Sequence, residues 1–426
     1  MFRKSYSGGR SGAAPKREGR PARPSFRVGS SDGRGKPFAG RGRPSAGRGR
    51  PTSRRRKFDQ SIDVNLFINK AVVAAEEVPY TPIHTFNDFN LDSRIVSNIA
   101  KKGYLSPTPI QDQTIPHIMV GTDVVGIANT GTGKTGAFLL PLIHKVLKNP
   151  NERVLIVVPT RELALQIHTE LRDFSPGLRI FGVCCVGGMN IGPQIRELRR
   201  QNHFVIGTPG RLKDLMERKV LSLANVSTVV LDEADRMLDM GFIHDMRFLL
   251  SHMPTERHTL FFSATMSREI ETLIHEFLKT PVSISVKTRS TATAVDQDVI
   301  RLERGQEKID ALYDLLIQPD YGKVLIFGKT KHGVEKLALV LRKRGIKAES
   351  IHGNKSQSQR QRSLDLFKTG RVQVLTATDV AARGLDIVGV SHVINYDLPA
   401  TYDDYVHRIG RTGRGTAAGK ALTFIS

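Results

Sequence analysis

The 426-residue sequence contains little cysteine and no long apolar run. Its two cysteines, Cys184 and Cys185, are adjacent and lack the spacing of a zinc site, so neither a disulfide framework nor a structural zinc is expected. No apolar run approaches the roughly 20 residues of a membrane-spanning helix, and Met1–Arg10 has no apolar segment of the signal-peptide type. These absences argue against membrane and secreted classes and predict a soluble protein of a reducing compartment. The cytoplasm is favoured, with a nucleus or an organelle left open.

Acidic residues are scarce at the start of the chain. In residues 1–57, 18 Lys or Arg stand against 2 acids and supply +16 of the formal net charge of +23. Arg, Gly, Pro and Ser dominate this segment, so we predict a disordered basic arm that binds a polyanion. The repeats Gly40–Pro44 and Gly47–Pro51 also resemble a minor-groove DNA hook, and a transit peptide is a further alternative. A generic arginine–glycine arm that holds nucleic acid by charge is favoured over both.

Short apolar runs alternate with longer amphipathic stretches from about residue 80 onward. Each run is typical of a buried strand, and enough chain for a helix separates it from the next, which predicts parallel sheets. The pattern restarts after a polar stretch near Lys287–Ala294, so two α/β domains are expected. The predicted strands are Val124–Ile127, Val154–Val158, Val205–Ile206, Val229–Leu231, Leu260–Phe262, Val324–Phe327, Val372–Leu375, His392–Tyr396 and Ala421–Ile425.

The sharpest local motif follows the first predicted strand and precedes an apolar helical stretch. Gly131 and Gly133 allow backbone amides to approach phosphate oxygens, and Lys134 supplies a positive charge. The Thr135 hydroxyl is a candidate ligand for Mg²⁺ beneath the nucleotide. We therefore predict a phosphate-binding loop made of Ala128, Asn129, Thr130, Gly131, Thr132, Gly133, Lys134 and Thr135.

Two acids and three arginines complete the chemistry of phosphoryl transfer. Asp232 and Glu233 directly follow an apolar strand, where Asp232 is expected to hold Mg²⁺ through water and Glu233 to orient or deprotonate the attacking water. Arg408, Arg411 and Arg414 recur at three-residue spacing and are candidates for stabilising charge on the transferred phosphoryl group. A basic surface patch that touches nucleic acid is the alternative, with even weight for Arg408.

The order of these motifs resembles that of the DEAD-box RNA helicases of superfamily 2, over roughly residues 84–426. The resemblance implies an α/β fold of two tandem RecA-like domains with parallel sheets, ATP and Mg²⁺ as cofactors, and RNA as partner. Phe86 and Gln111 lie in a segment similar to the Q motif, in which an aromatic ring stacks on adenine and an amide reads its edge. The expected divisions are a basic arm 1–57, a connecting segment 58–83, an ATP-binding domain 84–286 with the Q motif at 84–112, a linker 287–295 and a C-terminal domain 296–426.

Other segments are similar to the RNA-contacting and coupling motifs of this family. The resemblance assigns RNA contacts to Pro159, Thr160, Arg161, Gly187, Gly188, Thr208, Pro209, Gly210, Arg211, Arg360 and Thr378. It assigns the coupling of hydrolysis to unwinding to Ser263, Thr265, Asp235 and His407, with His407 contacting Asp235. It places Asp386 at the ribose and Arg411 and Arg414 at the γ-phosphate, beside the catalytic Lys134, Asp232 and Glu233.

The sequence thus predicts an RNA-stimulated ATPase that unwinds short duplexes or remodels RNA–protein complexes with little sequence preference. A DNA-dependent ATPase and a non-catalytic, ATP-gated RNA clamp or chaperone are the alternatives. Family members continue past the strand corresponding to Ala421–Ile425, so whether the chain is a C-terminal fragment is left open. The RNA target, the protein partners and the oligomeric state are not indicated by the sequence.

Overall fold

A computed structural model describes residues 67–69, 80–129, 131–286, 295–382, 387–413 and 419–425, all within one compact unit, Gln60–Ser426. The predicted basic arm 1–57, and Thr130, Asp386 and Arg414 among the predicted site residues, lie outside these ranges. Among the helices in these ranges, none has the length and apolar character needed to cross a membrane.

The first lobe is built on a parallel seven-stranded sheet of order β3-β4-β2-β5-β6-β1-β7. The strands are β1 (Val124–Ile127), β2 (Val154–Val157), β3 (Gly182–Cys185), β4 (Phe204–Gly207), β5 (Thr228–Leu231), β6 (His258–Ser263) and β7 (Val282–Ser285). The central strands β2, β5 and β6 are buried along their whole length, as expected of a parallel sheet covered on both faces.

Helices cover both faces of this sheet and form a hydrophobic core on each side. They are α1 (Ser93–Lys101), α2 (Pro109–Met119), α3 (Lys134–Lys148), α4 (Arg161–Phe174), α5 (Ile191–Leu198), α6 (Pro209–Glu217), α7 (Ala234–Asp239), α8 (Ile243–Ser251) and α9 (Arg268–Phe277). α1 to α4 pack on one face and α6 to α9 on the other. N-cap side chains of Asp92, Thr160 and Ser267 accept hydrogen bonds from the first turns of α1, α4 and α9, which fixes where these helices begin.

The second lobe has a parallel six-stranded sheet of order β10-β11-β9-β12-β13-β8. Its strands are β8 (Val295–Arg301), β9 (Val324–Phe327), β10 (Ala348–Ile351), β11 (Val374–Ala377), β12 (His392–Asn395) and β13 (Gly419–Ile425). Its helices are α10 (Lys308–Leu316), α11 (Lys331–Lys343), α12 (Gln357–Lys368), α13 (Asp379–Ala382) and α14 (Tyr402–Ile409). α10 and α11 cover one face, while α12 and α13 cover the other.

The predicted fold class is confirmed, and each of the nine predicted strands overlaps an observed strand. Four further strands, β3, β7, β8 and β10, were not predicted. The predicted strand Val372–Leu375 begins two residues early, since β11 runs from Val374 to Ala377.

A short segment before the first lobe contacts the second lobe. We call Phe67–Asn69 the strap. Asn69 forms an antiparallel bridge with Gln297 of β8, with two backbone hydrogen bonds of 3.1 and 2.8 Å. The described chain resumes at Tyr80, whose hydroxyl donates to Asp112 Oδ2 of α2 over 2.5 Å. The segment before the first lobe therefore contacts both lobes.

Candidate functional site

The phosphate-binding loop lies where β1 ends and α3 begins, as predicted. Gly131 and Gly133 have positive φ angles of 83° and 94°, a backbone region that favours glycine. A Cβ atom at Gly133 would lie 2.7 Å from Gln111 Nε2 and 2.8 Å from Thr108 Oγ1. The loop therefore needs glycine here for two reasons, its backbone conformation and its close contact with α2.

Polar groups of the loop are hydrogen-bonded within the protein. Lys134 Nζ, which is buried, donates to the Ala128 carbonyl over 2.7 Å. Gln111 Nε2 donates to the Gly133 carbonyl over 3.0 Å, while its Oε1 accepts from the Thr108 amide over 3.1 Å. Gln111, predicted to read the base, thus contacts the same loop to which Lys134, predicted to bind phosphate, belongs.

Phe86, the predicted adenine-stacking residue, lies in the first-lobe core. The residue is 6% exposed, and its ring meets that of Phe89 edge-on, with centroids 6.2 Å apart. Its role in stacking on adenine stays a prediction.

The predicted acids Asp232 and Glu233 follow β5 at the carboxyl edge of the sheet and are both buried. Asp232 Oδ1 accepts from the Glu233 amide over 2.9 Å. Burial raises the pKa of Asp232 to about 6, against the opposing effect of the Lys134 ammonium. A buried carboxylate beside a cationic phosphate loop suits a cation that neutralises it, and the Thr135 hydroxyl supplies a second oxygen at the start of α3.

Metal-ligand clusters of the all-protein kind are absent from the described ranges. No group of three or more His, Cys, Asp or Glu side chains there could hold a metal ion. Mg²⁺ commonly keeps several waters and is held by one or two carboxylates together with substrate phosphates. A donor set of Asp232 and Thr135 fits that mode of binding.

Arg236 is a functional residue that the sequence analysis missed. Its guanidinium forms a buried ion pair with Glu233 Oε2, while its Nε and Nη2 atoms have no hydrogen-bond partner among the described residues. Burial would raise the pKa of Glu233, but the positive charges of Arg236, Lys134 and Arg411 outweigh it and lower that pKa. Glu233 is therefore ionised at neutral pH, as a proton acceptor must be.

The predicted coupling residues of the first lobe meet at Asp235. Its Oδ2 accepts from the Ala264 and Thr265 amides, each over 3.0 Å, and from Thr265 Oγ1 over 3.1 Å. Ser263 Oγ donates to the Thr265 carbonyl over 2.8 Å. The carboxylate of Asp235, two residues after the predicted catalytic Glu233, is thus fixed to the turn after β6, whereas the contact of His407 with Asp235 stays a prediction.

The arginines after α14 differ in their environments. The interpretation of Arg408 as a surface patch is wrong, because Arg408 is 2% exposed and pairs with Asp379 through two hydrogen bonds of 2.6 and 2.8 Å. It also donates to the Asp397 carbonyl over 2.7 Å. Arg411 is buried as well, and its charge contributes to the lowered pKa of Glu233. The second lobe thus brings Arg411 within electrostatic reach of the first-lobe acid.

Three predicted RNA motifs follow β2, β3 and β4, which are neighbours in the sheet, so they share its carboxyl edge. They comprise Pro159, Thr160 and Arg161; Gly187 and Gly188; and Thr208, Pro209, Gly210 and Arg211. A Cβ at Gly188, where φ is 71°, would collide with the Arg161 guanidinium. Arg211 Nη1 donates to Gln194 Oε1 over 2.9 Å, which ties α6 to α5. The structure therefore brings these motifs together, while their contacts with RNA stay predictions.

The second-lobe residues of the RNA prediction lie on two elements. Thr378 follows β11 at the start of α13. Arg360 of α12 is buried, and its Nη2 lies 2.8 Å from Glu162 Oε1 of α4 in the first lobe. Gln357 Nε2 donates to the same oxygen over 3.2 Å. In this structure Arg360 therefore joins the two lobes.

Glu162, Arg236 and Asp379 are the site residues that the sequence analysis did not assign. Each directly follows a residue that the sequence analysis had assigned: Glu162 follows Arg161, Arg236 follows Asp235, and Asp379 follows Thr378. Their charge and their position beside a motif were the signals that the sequence offered. The partners could not be read from it, because Glu162 and Asp379 pair with arginines far along the chain, and Arg236 pairs with Glu233 one helical turn away.

The two lobes, the phosphate-binding loop and the buried Glu233, whose charge interacts with that of Arg411 from the other lobe, define a two-domain helicase ATPase. The family profile described as "DEAD/DEAH box helicase" matches residues 108–273, and that described as "Helicase conserved C-terminal domain" matches residues 307–416. The chain is 46% identical over 342 residues to ATP-dependent RNA helicase CshA of Listeria monocytogenes, covering 80% of this chain and 66% of that protein. It is 45% identical over 344 residues to DEAD-box ATP-dependent RNA helicase CshA of Bacillus subtilis, covering 80% of this chain and 69% of that protein.

Solved structures agree with these relatives. Dbp5 of S. cerevisiae bound to RNA and ADP BeF3 matches with a TM-score of 0.71 at 28% identity, over 80% of this chain and 89% of that one. Mss116p bound to ssRNA and AMP-PNP matches with a TM-score of 0.71 at 29% identity, over 80% of this chain and 73% of that one. The chain belongs to the DEAD-box family of ATP-dependent RNA helicases. It spans about two thirds of the length of the CshA relatives.

Proposed function

We propose that this chain is an RNA-stimulated ATPase that uses ATP hydrolysis to unwind short RNA duplexes or remodel RNA–protein complexes. The carrying observation is the split site: the 2.8 Å contact of Arg360 with Glu162 joins the lobes, and the charge of Arg411 from the second lobe acts on Glu233 of the first. Neither lobe alone holds both groups, so hydrolysis requires the lobes to be together.

ATP binding exchanges internal hydrogen bonds for bonds to the nucleotide. Lys134 would move from the Ala128 carbonyl to the phosphates, and Gln111 from the Gly133 carbonyl to the base. Asp232 and Thr135 would hold Mg²⁺, which neutralises phosphate charge during transfer. Glu233, kept ionised by Arg236, would orient the attacking water and accept its proton, while Arg411 stabilises the charge on the transferred group.

RNA binding is proposed for the carboxyl edge of the first sheet and for Thr378 of the second lobe, while the buried Arg360 is proposed to hold the lobes together. Backbone amides, glycine turns and arginines in these motifs suit phosphates and sugars, which carry little sequence information. Asp235 hydrogen-bonds to Thr265 in the turn after β6 and lies two residues after Glu233. ATP hydrolysis at Glu233 would therefore shift this turn, which is the proposed link between hydrolysis and unwinding.

The named relatives act on RNA, and this does not favour the DNA-dependent alternative. Lys134, Asp232, Glu233 and Arg411 all lie in the described ranges, and their presence argues against a clamp without turnover. We also propose a cytoplasmic location, supported by two free cysteines: Cys185 packs within one first-lobe core, and the partly buried Cys184 packs against the other.

The test is a comparison of ATP hydrolysis and duplex unwinding with RNA and DNA strands of equal length. The parent chain should hydrolyse ATP with RNA and much more slowly with DNA. Glu233→Gln should slow hydrolysis by about 10²- to 10⁴-fold, the contribution of a general base, while ATP and RNA binding persist. Glu217→Gln, at an exposed acid of the same lobe, is the matched control and should hydrolyse at the parent rate. Equal rates with RNA and DNA, or a normal rate for Glu233→Gln, would contradict the proposal.

A further inference from the structure

The strap occupies an edge of the second-lobe sheet. β8 is the last strand in the order β10-β11-β9-β12-β13-β8, so among the described strands only β13 pairs with it. Asn69 also contacts β8, through its paired backbone hydrogen bonds with Gln297. A bridge of this kind adds an extended segment to the edge of a sheet through backbone hydrogen bonds.

A side chain fixes the strap beside the backbone bridge. Phe67 is 1% exposed, and it packs with Val295, Tyr405, Ile409 and Ala421. Its ring meets the Tyr405 ring edge-on, with centroids 4.7 Å apart, an arrangement that aromatic pairs favour. The adjacent Ile68 is 44% exposed. The strap therefore docks through one residue and presents the next to solvent.

The residues beneath Phe67 adjoin Arg411, the predicted γ-phosphate residue. Tyr405 and Ile409 belong to α14, and Arg411 follows two residues after Ile409. Tyr405 Oη donates to Gln297 Oε1 over 2.9 Å, and Gln297 is also the residue that pairs with Asn69. Gln297 of β8 thus binds the strap through its backbone and Tyr405 of α14 through its side chain.

We propose that the strap is a positioning element that holds α14 against the β8–β13 edge, so that Arg411 is aimed at the nucleotide. Phe67 is its docking residue and acts through Tyr405 and Ile409. The effect of the strap on ATP hydrolysis rests on the proposed function, whereas the docking of Phe67 on α14 does not depend on it. It assigns a role in ATP hydrolysis to residues outside both helicase lobes.

Hydrogen exchange tests docking without reference to activity. In the full chain, Phe67→Ala should speed amide exchange across α14 by about tenfold or more relative to the parent, because the helix loses a packed neighbour. Ile68→Ala, one position along the strap, is the matched control and should leave exchange in α14 unchanged. Equal exchange in the parent, Phe67→Ala and Ile68→Ala would overturn the docking.

Steady-state kinetics test the catalytic part. At saturating RNA and ATP, kcat for Phe67→Ala should fall by about tenfold, less than the 10²-fold that a misplacement of about 1 Å can cost, with a smaller change in KM for ATP. Phe67→Leu keeps an apolar filling and should recover most of the rate, while Ile68→Ala should match the parent. A parent-like kcat for Phe67→Ala, combined with faster exchange in α14, would refute positioning while keeping docking.

Two truncations separate the strap from the basic arm. Removing residues 1–57 retains the strap, so kcat at saturating RNA should stay at the parent value. Removing residues 1–79 deletes the strap, and kcat should fall to that of Phe67→Ala. Equal kcat values for the two truncations would overturn the positioning role. A parent chain without RNA-stimulated hydrolysis would refute the proposed function, and the exchange comparison would still decide the docking.

Discussion

The ion pair between Glu162 and Arg360 should control whether the lobes stay together. Both side chains are buried, and Arg360 Nη2 lies 2.8 Å from Glu162 Oε1. Removing one partner of a buried pair costs about 3–5 kcal/mol when the other charge stays buried. Here the stranded charge can regain water if the lobes separate, so the cost is expected to appear as loss of the joined state.

The perturbation is Arg360→Met, which keeps the length and apolar stem of the side chain. A cost of about 3 kcal/mol corresponds to a loss of about 10²-fold in an equilibrium constant. RNA affinity measured by fluorescence anisotropy with a non-hydrolysable ATP analogue should therefore fall by about 10²-fold or more. RNA affinity without nucleotide should change little, since the joined state is then not required.

Two further variants complete the design. In a double-mutant cycle with Glu162→Gln, the two changes should be non-additive by about 0.5–3 kcal/mol. Arg247→Met breaks an ion pair with Glu276 whose side chains are 46% and 36% exposed, and it should cost at most about 1 kcal/mol. An equal loss of RNA affinity with and without nucleotide would refute the reasoning and indicate that Arg360 contacts RNA directly.

Two further predictions concern the pH dependence of the active site. Arg236→Met removes the cation paired with Glu233, so burial should raise the pKa of Glu233 and move the acidic limb of the kcat profile to higher pH; an unmoved limb would show that the pair does not set this ionisation. Because the pKa of Asp232 is raised to about 6, protons should compete with Mg²⁺ below that pH, so KM for Mg·ATP should rise as the pH falls from 7 to 5; a constant KM over this range would contradict the assignment of Asp232.

Apolar content explains which strands could be predicted. β1 and β9 coincide with predicted apolar runs, because strands buried on both faces read as continuous hydrophobic sequence. β8, with the sequence VDQDVIR, lies at a sheet edge and is only partly buried, so its sequence is too polar for that signal. β10, with the sequence AESI, carries a glutamate and a serine that are engaged by neighbouring side chains.

The residues of the candidate site were also predictable only in part. The phosphate loop, the acids and the arginines were predictable because each group lies in a short contiguous motif next to an apolar strand. The Glu162–Arg360 pair and the burial of Phe67 against Tyr405 join residues hundreds of positions apart. Periodicity and local motifs carry no information about such contacts, and only the packing of the lobes reveals them.

The strap also determines how force enters the molecule. Because Asn69 pairs with Gln297, the whole first lobe is a loop between two adjoining backbone segments at the edge of the second-lobe sheet. Tension on the chain before Phe67 is therefore borne first by the bridge and the buried ring, and it reaches the second lobe rather than the first. If the Asn69–Gln297 bridge and the contacts of Phe67 break, the chain from Asn69 to Tyr80 can extend by at most about 40 Å before tension reaches the first lobe. A load held by the amino-terminal arm thus pulls on the lobe that carries Arg411, and the lobe that carries the phosphate loop is shielded from it.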